Sequence, residues 1–394
     1  MDLRSAVDAG WNRQLALLKE LVRVPSTLGN ELAAQELVAE ELRSIGLQPQ
    51  LWDVNPDVPG ASPPLMGYAG RPNVTARLAG LGGGRSLTFN GHIDVVPATL
   101  EHRWSYDPWG AEIDGGRMYG RGAADMKAGV VAMLGAVRAL SEAGLRGDVF
   151  VETVVEEECT GNGAAACRAR CPRTDAALIP EPFNHAALEA QVGVLWARLT
   201  VHGKAAHAER ADQAINAALA AMPVIERIKA LEAEVNAEPR SRWFADHAHP
   251  FNYNVGVLQA GDWASSVPEE CIVEVRLGVD VDADLDEVMS RFEAAVRVPV
   301  EWRGFRAHGF GLERSLPLFD VLGRAHALVH DDELEWLAFT GTTDARAFVV
   351  HEGVPATCYG PIGGNLHAPD EWVDLESVRA TTLVLALAAA EWCA

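Results

Sequence analysis

Apolar residues recur at helical spacing in two stretches near the start of the chain, and these predict amphipathic helices over residues 8 to 24 and 30 to 45. In the second, Ala34, Leu37, Val38, Leu42 and Ile45 share a face with only Glu41 out of character, and Gly46 ends the run. The pattern then shortens to strand-like runs at LQPQLWDV, NVTARLAG and RSLTFNGHIDVV. A strongly apolar helix is expected over 123 to 144. Two more strands follow, DVFVETVVEEE ending in three acids and DAALIPEP ending in Glu181. Strand, helix, strand with polar groups at the strand ends predicts an α/β fold whose central sheet is mostly parallel and flanked by helices, with its chemistry beyond the carboxyl edge.

Near residue 190 the pattern changes. QVGVLWARLTVHG alternates as an open-sheet strand does, HAERADQAINAALAAMPVIERIKALEAEV reads as one long helical stretch, FNYNVGVLQAG and EECIVEVRLGV read as strands, and DADLDEVMSRFEAAV reads as a helix. This order predicts an inserted α+β unit over 190–303. It divides a larger domain into 1–189 and 304–394, and VPATCYGPIG and LESVRATTLVLALAAAEW return the chain to its α/β pattern as a strand and a closing helix.

With 394 residues, 48% of them apolar, the chain exceeds what one core usually serves, in keeping with two domains. A formal net charge of −22 disfavours nucleic acid and anionic membrane as partners. The start, MDLRSAVDAGW, lacks an apolar signal core and VLALAAA is too short to span a bilayer, so a soluble cytoplasmic protein is expected. The six cysteines form no regular framework. Cys167 and Cys171 stand close in ACRARC, but no second pair or nearby histidine completes a zinc knuckle, and structural thiols are expected.

Five places set acids or histidines at the ends of elements of one sheet. In GHIDVVP, His92 and Asp94 lie two apart on one strand face, where they must satisfy each other and some backbone, or hold something. Asp125 in GRGAADMKAG can cap the helix that follows it. Glu157 and Glu158 in VVEEECTGNG can belong to a solvated loop, Glu181 in IPEPF to a turn, and His367 in GNLHAPDEW to the open surface. A dinuclear centre accounts for all five together. Two divalent ions require a bridging carboxylate, terminal ligands on each ion and one free carboxylate to handle a proton. Asp94 would then take the hydrogen of the imidazole nitrogen of His92 that faces away from metal.

These segments together resemble the M20 family of metallohydrolases, the group that includes acetylornithine deacetylase, succinyl-diaminopimelate desuccinylase and aminoacylase. GHIDVVP, W..DPWGAEIDGGRMYGRGAADMKAG, VVEEECTGNG, IPEP, GKAAHA and GNLHAPDEWV occur in the family's order and cover nearly the whole chain. The resemblance implies a zinc-peptidase-like catalytic domain with an inserted lid and dimerisation domain, hence a homodimer. It implies two Zn2+ ions, with Co2+ or Mn2+ as substitutes, one held by His92, Asp125 and Glu181 and the other by Asp125, Glu158 and His367. Glu157 would be the general base and Asp94 the partner of His92. His207 in HGKAAHA would reach the neighbouring subunit's site and steady the oxyanion, whereas His202 would be structural.

The implied reaction is attack of an activated water on the amide of a small N-acyl amino acid or related N-acyl amine, with Glu157 accepting the proton and passing it to the leaving nitrogen. Deacetylation of an ornithine-like compound is the default. The alternatives are a deformylase or deacylase of a heterocyclic or aromatic amide, a dipeptidase or carboxypeptidase, a ring aminohydrolase and, in another class, a noncatalytic metal-dependent binding protein. The chain departs from the family's carboxylate grip: in SSVPEECIVEVRLG, Ser265 replaces the usual asparagine and Gly278 the usual arginine, which leaves Arg276 on the same strand face as the substitute. Thr343, Asp344 and Arg346 in TGTTDARAF, with Asn162 and Asn365 in glycine-rich loops, are further expected substrate contacts or loop supports. Trp104, Trp109 and Trp263 lie close to the shared motifs and favour the aromatic alternative.

Overall fold

The computed structural model describes residues 2–394. Its central sheet contains the strands Gln50–Asp53, Pro72–Leu78, Val149–Val154, Leu87–His92, Ala176–Ile179 and Ala356–Cys358 in that spatial order. The last four run parallel, and the first two are joined antiparallel at one edge. The sheet is therefore mixed, with a parallel heart. Leu87 pairs with Val149 and His92 with Val154, so two neighbouring strands end together, and the strand Ala176–Ile179 lies on the other side of Leu87–His92.

Leu87–His92 is buried along its whole length, as a parallel strand covered on both faces must be. The helices Leu3–Arg23, Gly129–Leu140 and Leu375–Trp392 pack on one another, and Gly129–Leu140 also touches the strands Leu87–His92 and Val149–Val154. A second pair, Asn162–Arg170 and Ala345–Glu352, packs together and contacts other parts of the same sheet. Gly129 permits a close approach of helix to strand end: a Cβ there would lie 2.0 Å from the Pro180 carbonyl oxygen, beside Glu181.

The apolar stretch expected as one helix over 123 to 144 is broken. Residues Ala123–Ala128 form a widened turn in which Asp125 and Met126 leave helical geometry, and the regular helix begins at Gly129. Asp125 is thus not a helix cap; the break turns its carboxylate toward the sheet edge. The long helix expected from the histidine at 207 begins at Ala217, because the Asn216 side chain accepts hydrogen bonds from the amides of Ala218 and Leu219 and fixes the start there.

A second sheet, in the order Tyr253–Ala260, Glu270–Val279, Gly193–His202, Val300–Ala307, is antiparallel throughout. The helices Ala217–Ala237 and Leu285–Val296 pack with it around a separate apolar core that includes Leu199, Ile228, Val273 and Phe292. Position 303 lies inside the strand Val300–Ala307, so the chain leaves this sheet only after Ala307. The two units touch where Ser62 crosses between them. Its hydroxyl donates to the Thr160 carbonyl and accepts from the Arg306 amide, and the Gly304 amide donates to the Pro63 carbonyl. Among the described residues no helix is long and apolar enough to cross a membrane.

Candidate metal centre

The parallel strands deliver their polar ends to one edge. His92 ends its strand, Glu157 and Glu158 follow Val149–Val154, and Glu181 follows Ala176–Ile179. The broken turn brings Asp125, and the loop before the closing helix brings His367, whose backbone is left-handed at φ 59°. Ligand atoms of His92, Asp125 and Glu181 lie within 4.8 Å of one another, and so do those of Asp125, Glu158 and His367. Asp125 belongs to both groups. One of its oxygens is 3.2 Å from His92 Nε2 and the other 3.4 Å from His367 Nε2. His92 Nε2 also lies 3.7 Å from Glu181, and His367 Nε2 lies 3.1 Å from Glu158.

The tautomer of His92 decides what this arrangement can hold. Its Nδ1 is 2.9 Å from the backbone carbonyl of Asp94, which can only accept, so Nδ1 carries the hydrogen. In the neutral ring, Nε2 then aims a lone pair at carboxylate oxygens. That geometry is repulsive unless a proton or a metal cation sits between them. Nitrogen and oxygen donors of this kind suit Zn2+, Co2+ or Mn2+, and the two groups joined by Asp125 form a dinuclear centre.

The Asp94 carboxylate does not take the imidazole hydrogen as expected: its oxygen is 3.9 Å from Nδ1. Instead it accepts hydrogen bonds from the amides of Glu157 and Glu158, both at 3.2 Å. Asp94 therefore positions the acidic pair by its side chain and His92 by its main chain. The preceding acid, Glu156, is wholly buried and left-handed at φ 66°. It accepts hydrogen bonds from Tyr68, Thr160 and Arg71, and Arg71 also pairs with the buried Glu31. The three acids are thus an anchored segment, buried at Glu156 and Glu157 and partly so at Glu158, and not a solvated loop. On the opposite side Glu371 accepts from the amides of Gly122, Ala124 and Asp125 and pairs with Arg121.

Burial is the largest influence on Glu157 and Glu181 and, with the neighbouring acids, holds both carboxyls well above the usual range. Burial also opposes charge on His92 and His367, but the carboxylates outweigh it: His92 is raised well above its ordinary value and His367 to about 11. The edge holds more negative charge than its own side chains can neutralise.

Beside the acids lies a cleft of about 370 Å³ shared by both units. Phe183 and Phe339 come from the central domain, Trp196, Phe305, Asn254 and Arg276 from the second sheet. Thr343 also lines it. Arg276 is directed to carbonyls alone, Thr340 at 2.8 Å and Asn252 at 3.4 Å, and burial lowers its pKa to about 10.

Several expected contacts stand elsewhere. The Asn162 amide is buried and fully used by Ser62 and Tyr68, and Asn365 bonds the Asp370 carbonyl, so both support loops. Asp344 and Arg346 are buried behind the cleft wall, with Arg346 donating to the Thr160 carbonyl. His207 is exposed on the second unit and accepts from the Glu209 amide, apart from the cleft of its own chain. Trp104, Trp109 and Trp263 do not line the cleft; Trp196 does.

The model of peptidase family M20/M25/M40 matches residues 88–391, a span that contains every residue of the dinuclear centre. The chain belongs to this family. Like the family, it is a metal-dependent hydrolase of small acyl and peptide amide bonds. A succinyl-diaminopimelate desuccinylase of Methylobacterium radiotolerans is 30% identical over 393 residues, covering 93% of this chain and 94% of that protein. An N-formyl-4-amino-5-aminomethyl-2-methylpyrimidine deformylase of Halalkalibacterium halodurans is 24% identical and covers 100% and 97% respectively. The same fold is found in the dipeptidase Dug1p of Saccharomyces cerevisiae, with a TM-score of 0.80 at 14% identity over 99% of this chain and 98% of that one.

A carboxyl whose folded pKa is raised favours the metal-free fold below its ordinary value, and that contribution is lost as pH rises through the folded value. Bound cations replace the lost protons. The gain in Tm on adding Mn2+ to chelator-stripped protein should therefore be small near about pH 5 and grow toward about pH 8 in scanning fluorimetry. A gain independent of pH would place the cations elsewhere.

Proposed function

We propose that the chain hydrolyses the amide of a small N-acyl amine that carries one carboxylate and an apolar or aromatic portion. The observation that supports this most directly is Arg276, a cation lining the cleft with only carbonyl partners, opposite phenylalanine and tryptophan walls. Among the described residues it is the one arginine or lysine in that lining, which suits a monocarboxylate better than a substrate with several acidic groups. In this reading His92, Asp125 and Glu181 hold one ion and Asp125, Glu158 and His367 the other. When bound, the ions supply Lewis acidity toward the amide carbonyl and lower the pKa of the attacking water.

Glu157 is the base. It reaches the edge of the cleft and belongs to neither ligand group. Its raised pKa suits it to take a proton from water and return it to the leaving nitrogen. Asp94 fixes its backbone during both transfers. His207 completes the site from a second subunit by donating to the developing oxyanion, because in its own chain it stands outside the cleft. A second reading, a deformylase of a heteroaromatic amide, is favoured by the aromatic walls together with the likeness to the pyrimidine deformylase.

Glu157→Gln should keep both ions by metal analysis while turnover falls about 100- to 10,000-fold. Unchanged turnover would remove Glu157 from the role. A panel of N-acetyl, N-formyl and N-succinyl amines tests the substrate class. Arg276→Met should raise KM for carboxylate-bearing amides about 10- to 100-fold and leave decarboxylated analogues unaffected; an equal loss on both would rule out a carboxylate grip. Mixing Glu157→Gln and His207→Ala subunits should restore about a quarter of wild-type activity, since random pairing gives half mixed dimers with one complete site each. No recovery on mixing would put His207 outside a shared site.

A further inference from the structure

The strand Val149–Val154 and the helix Asn162–Arg170 flank the segment that carries Glu157 and Glu158, and a third cluster joins them on the side away from the cleft. Glu152 on the strand, Cys167 in the helix and Cys171 just after it present ligand atoms that all lie within 4.8 Å of one another. Glu152 and Cys167 are buried, and Cys171 is partly exposed, which leaves an entry path from solvent. The amide of Cys171 bonds the Cys167 carbonyl at 2.7 Å and holds the two thiols on one turn.

The surroundings are those of a supported ligand set. Asn90 Nδ2 donates to one Glu152 oxygen at 3.1 Å, Asn73 Nδ2 lies 3.3 Å from the Cys167 sulfur, and Arg168 pairs with Glu152. Two thiolates and a carboxylate carry three negative charges. A divalent ion with Arg168 supplies three positive ones, and the Glu352 carboxylate, 3.3 Å from Arg168 on its other side, leaves the filled cluster one negative charge from neutral. Two sulfurs and one oxygen select a thiophilic ion over Mg2+, Ca2+ or Mn2+. The dinuclear centre offers only nitrogen and oxygen, so the two sites differ in kind.

We propose that Cys167, Cys171 and Glu152 form a third metal site, for a thiophilic divalent cation such as Zn2+, which clamps the helix to the strand on either side of the catalytic acids. Binding releases the two thiol protons as the ion takes their place. The cysteines that read from sequence as inert core thiols thus become ligands.

The test uses the full-length chain, kept reduced and loaded with Co2+. Wild type should show a sulfur-to-cobalt charge-transfer band in the near ultraviolet and bind one more equivalent of metal than Cys167→Ser/Cys171→Ser. The double variant should lose that band while the visible cobalt absorption of the dinuclear centre and the turnover persist. Should the double variant fail to fold, Cys171→Ser, at the partly exposed position, and cadmium NMR of the wild type read the same bond: a thiolate-shifted resonance is expected in wild type and its displacement in the variant. Absence of the charge-transfer band and of a thiolate-shifted cadmium resonance in reduced wild type, or their survival unchanged in the cysteine variants, would overturn the proposal.

Discussion

Repulsion among carboxylates at one sheet edge is the constraint on which the rest of the structure depends. Asp125, Glu157, Glu158 and Glu181 converge there with only two imidazoles among them. Such a cluster is unstable in a poorly solvated setting without cations, and burying charge without a partner is costly. Parallel strand pairing brings the acids together. As pH rises and the protons leave, a pair of divalent ions keeps the convergence favourable, so fold and metal chemistry are two consequences of one arrangement.

Holding that arrangement takes a layer of polar groups that lie outside the cleft lining. Asp94, Glu156 and Glu371 are carboxylates whose oxygens are taken up by main-chain amides, an arginine or a tyrosine. Arg71 lies between Glu31 and Glu156 with almost no solvent contact. Removing it would leave two buried carboxylates unpaired, a loss on the order of 3–5 kcal/mol. The rigidity of the segment that carries Glu157 therefore rests on ion pairs outside the cleft, while the left-handed backbones at Glu156 and His367 show where the chain yields to the local geometry.

Much of this is legible in the sequence. The short apolar runs ending in His92, Glu157 and Glu181 mark the parallel strands and their common edge, and the order of the motifs points to the family. Periodicity cannot show where a helix breaks: residues 123 to 128 carry the same helical spacing of apolar residues as those that follow, and the turn at Asp125 is held by hydrogen bonds that the amides of Ala124 and Asp125 donate to Glu371, some 246 positions away. A shared strand face suggests Asp94 beside an imidazole, yet two amides in the loop that follows the neighbouring strand claim its carboxylate. Glu371 stands in the same stretch as His367, GNLHAPDEW, but nothing in its spacing marks it as the support of a distant turn. Trp196 and Phe305 carry no motif at all; they reach the cleft because the second sheet places them there.

The cleft draws its opposing walls from the two units, one that ends in the clustered acids and one whose sheet presents Trp196, Asn254, Arg276 and Phe305. Changes in the latter set can reshape what is admitted without disturbing the groups that break the bond. Tolerance to change in such a scaffold is therefore uneven: a few exchanges along one wall can alter selectivity, whereas exchanges among the acids would cost the cations. That unevenness fits a chain whose relatives in sequence include a desuccinylase and a deformylase.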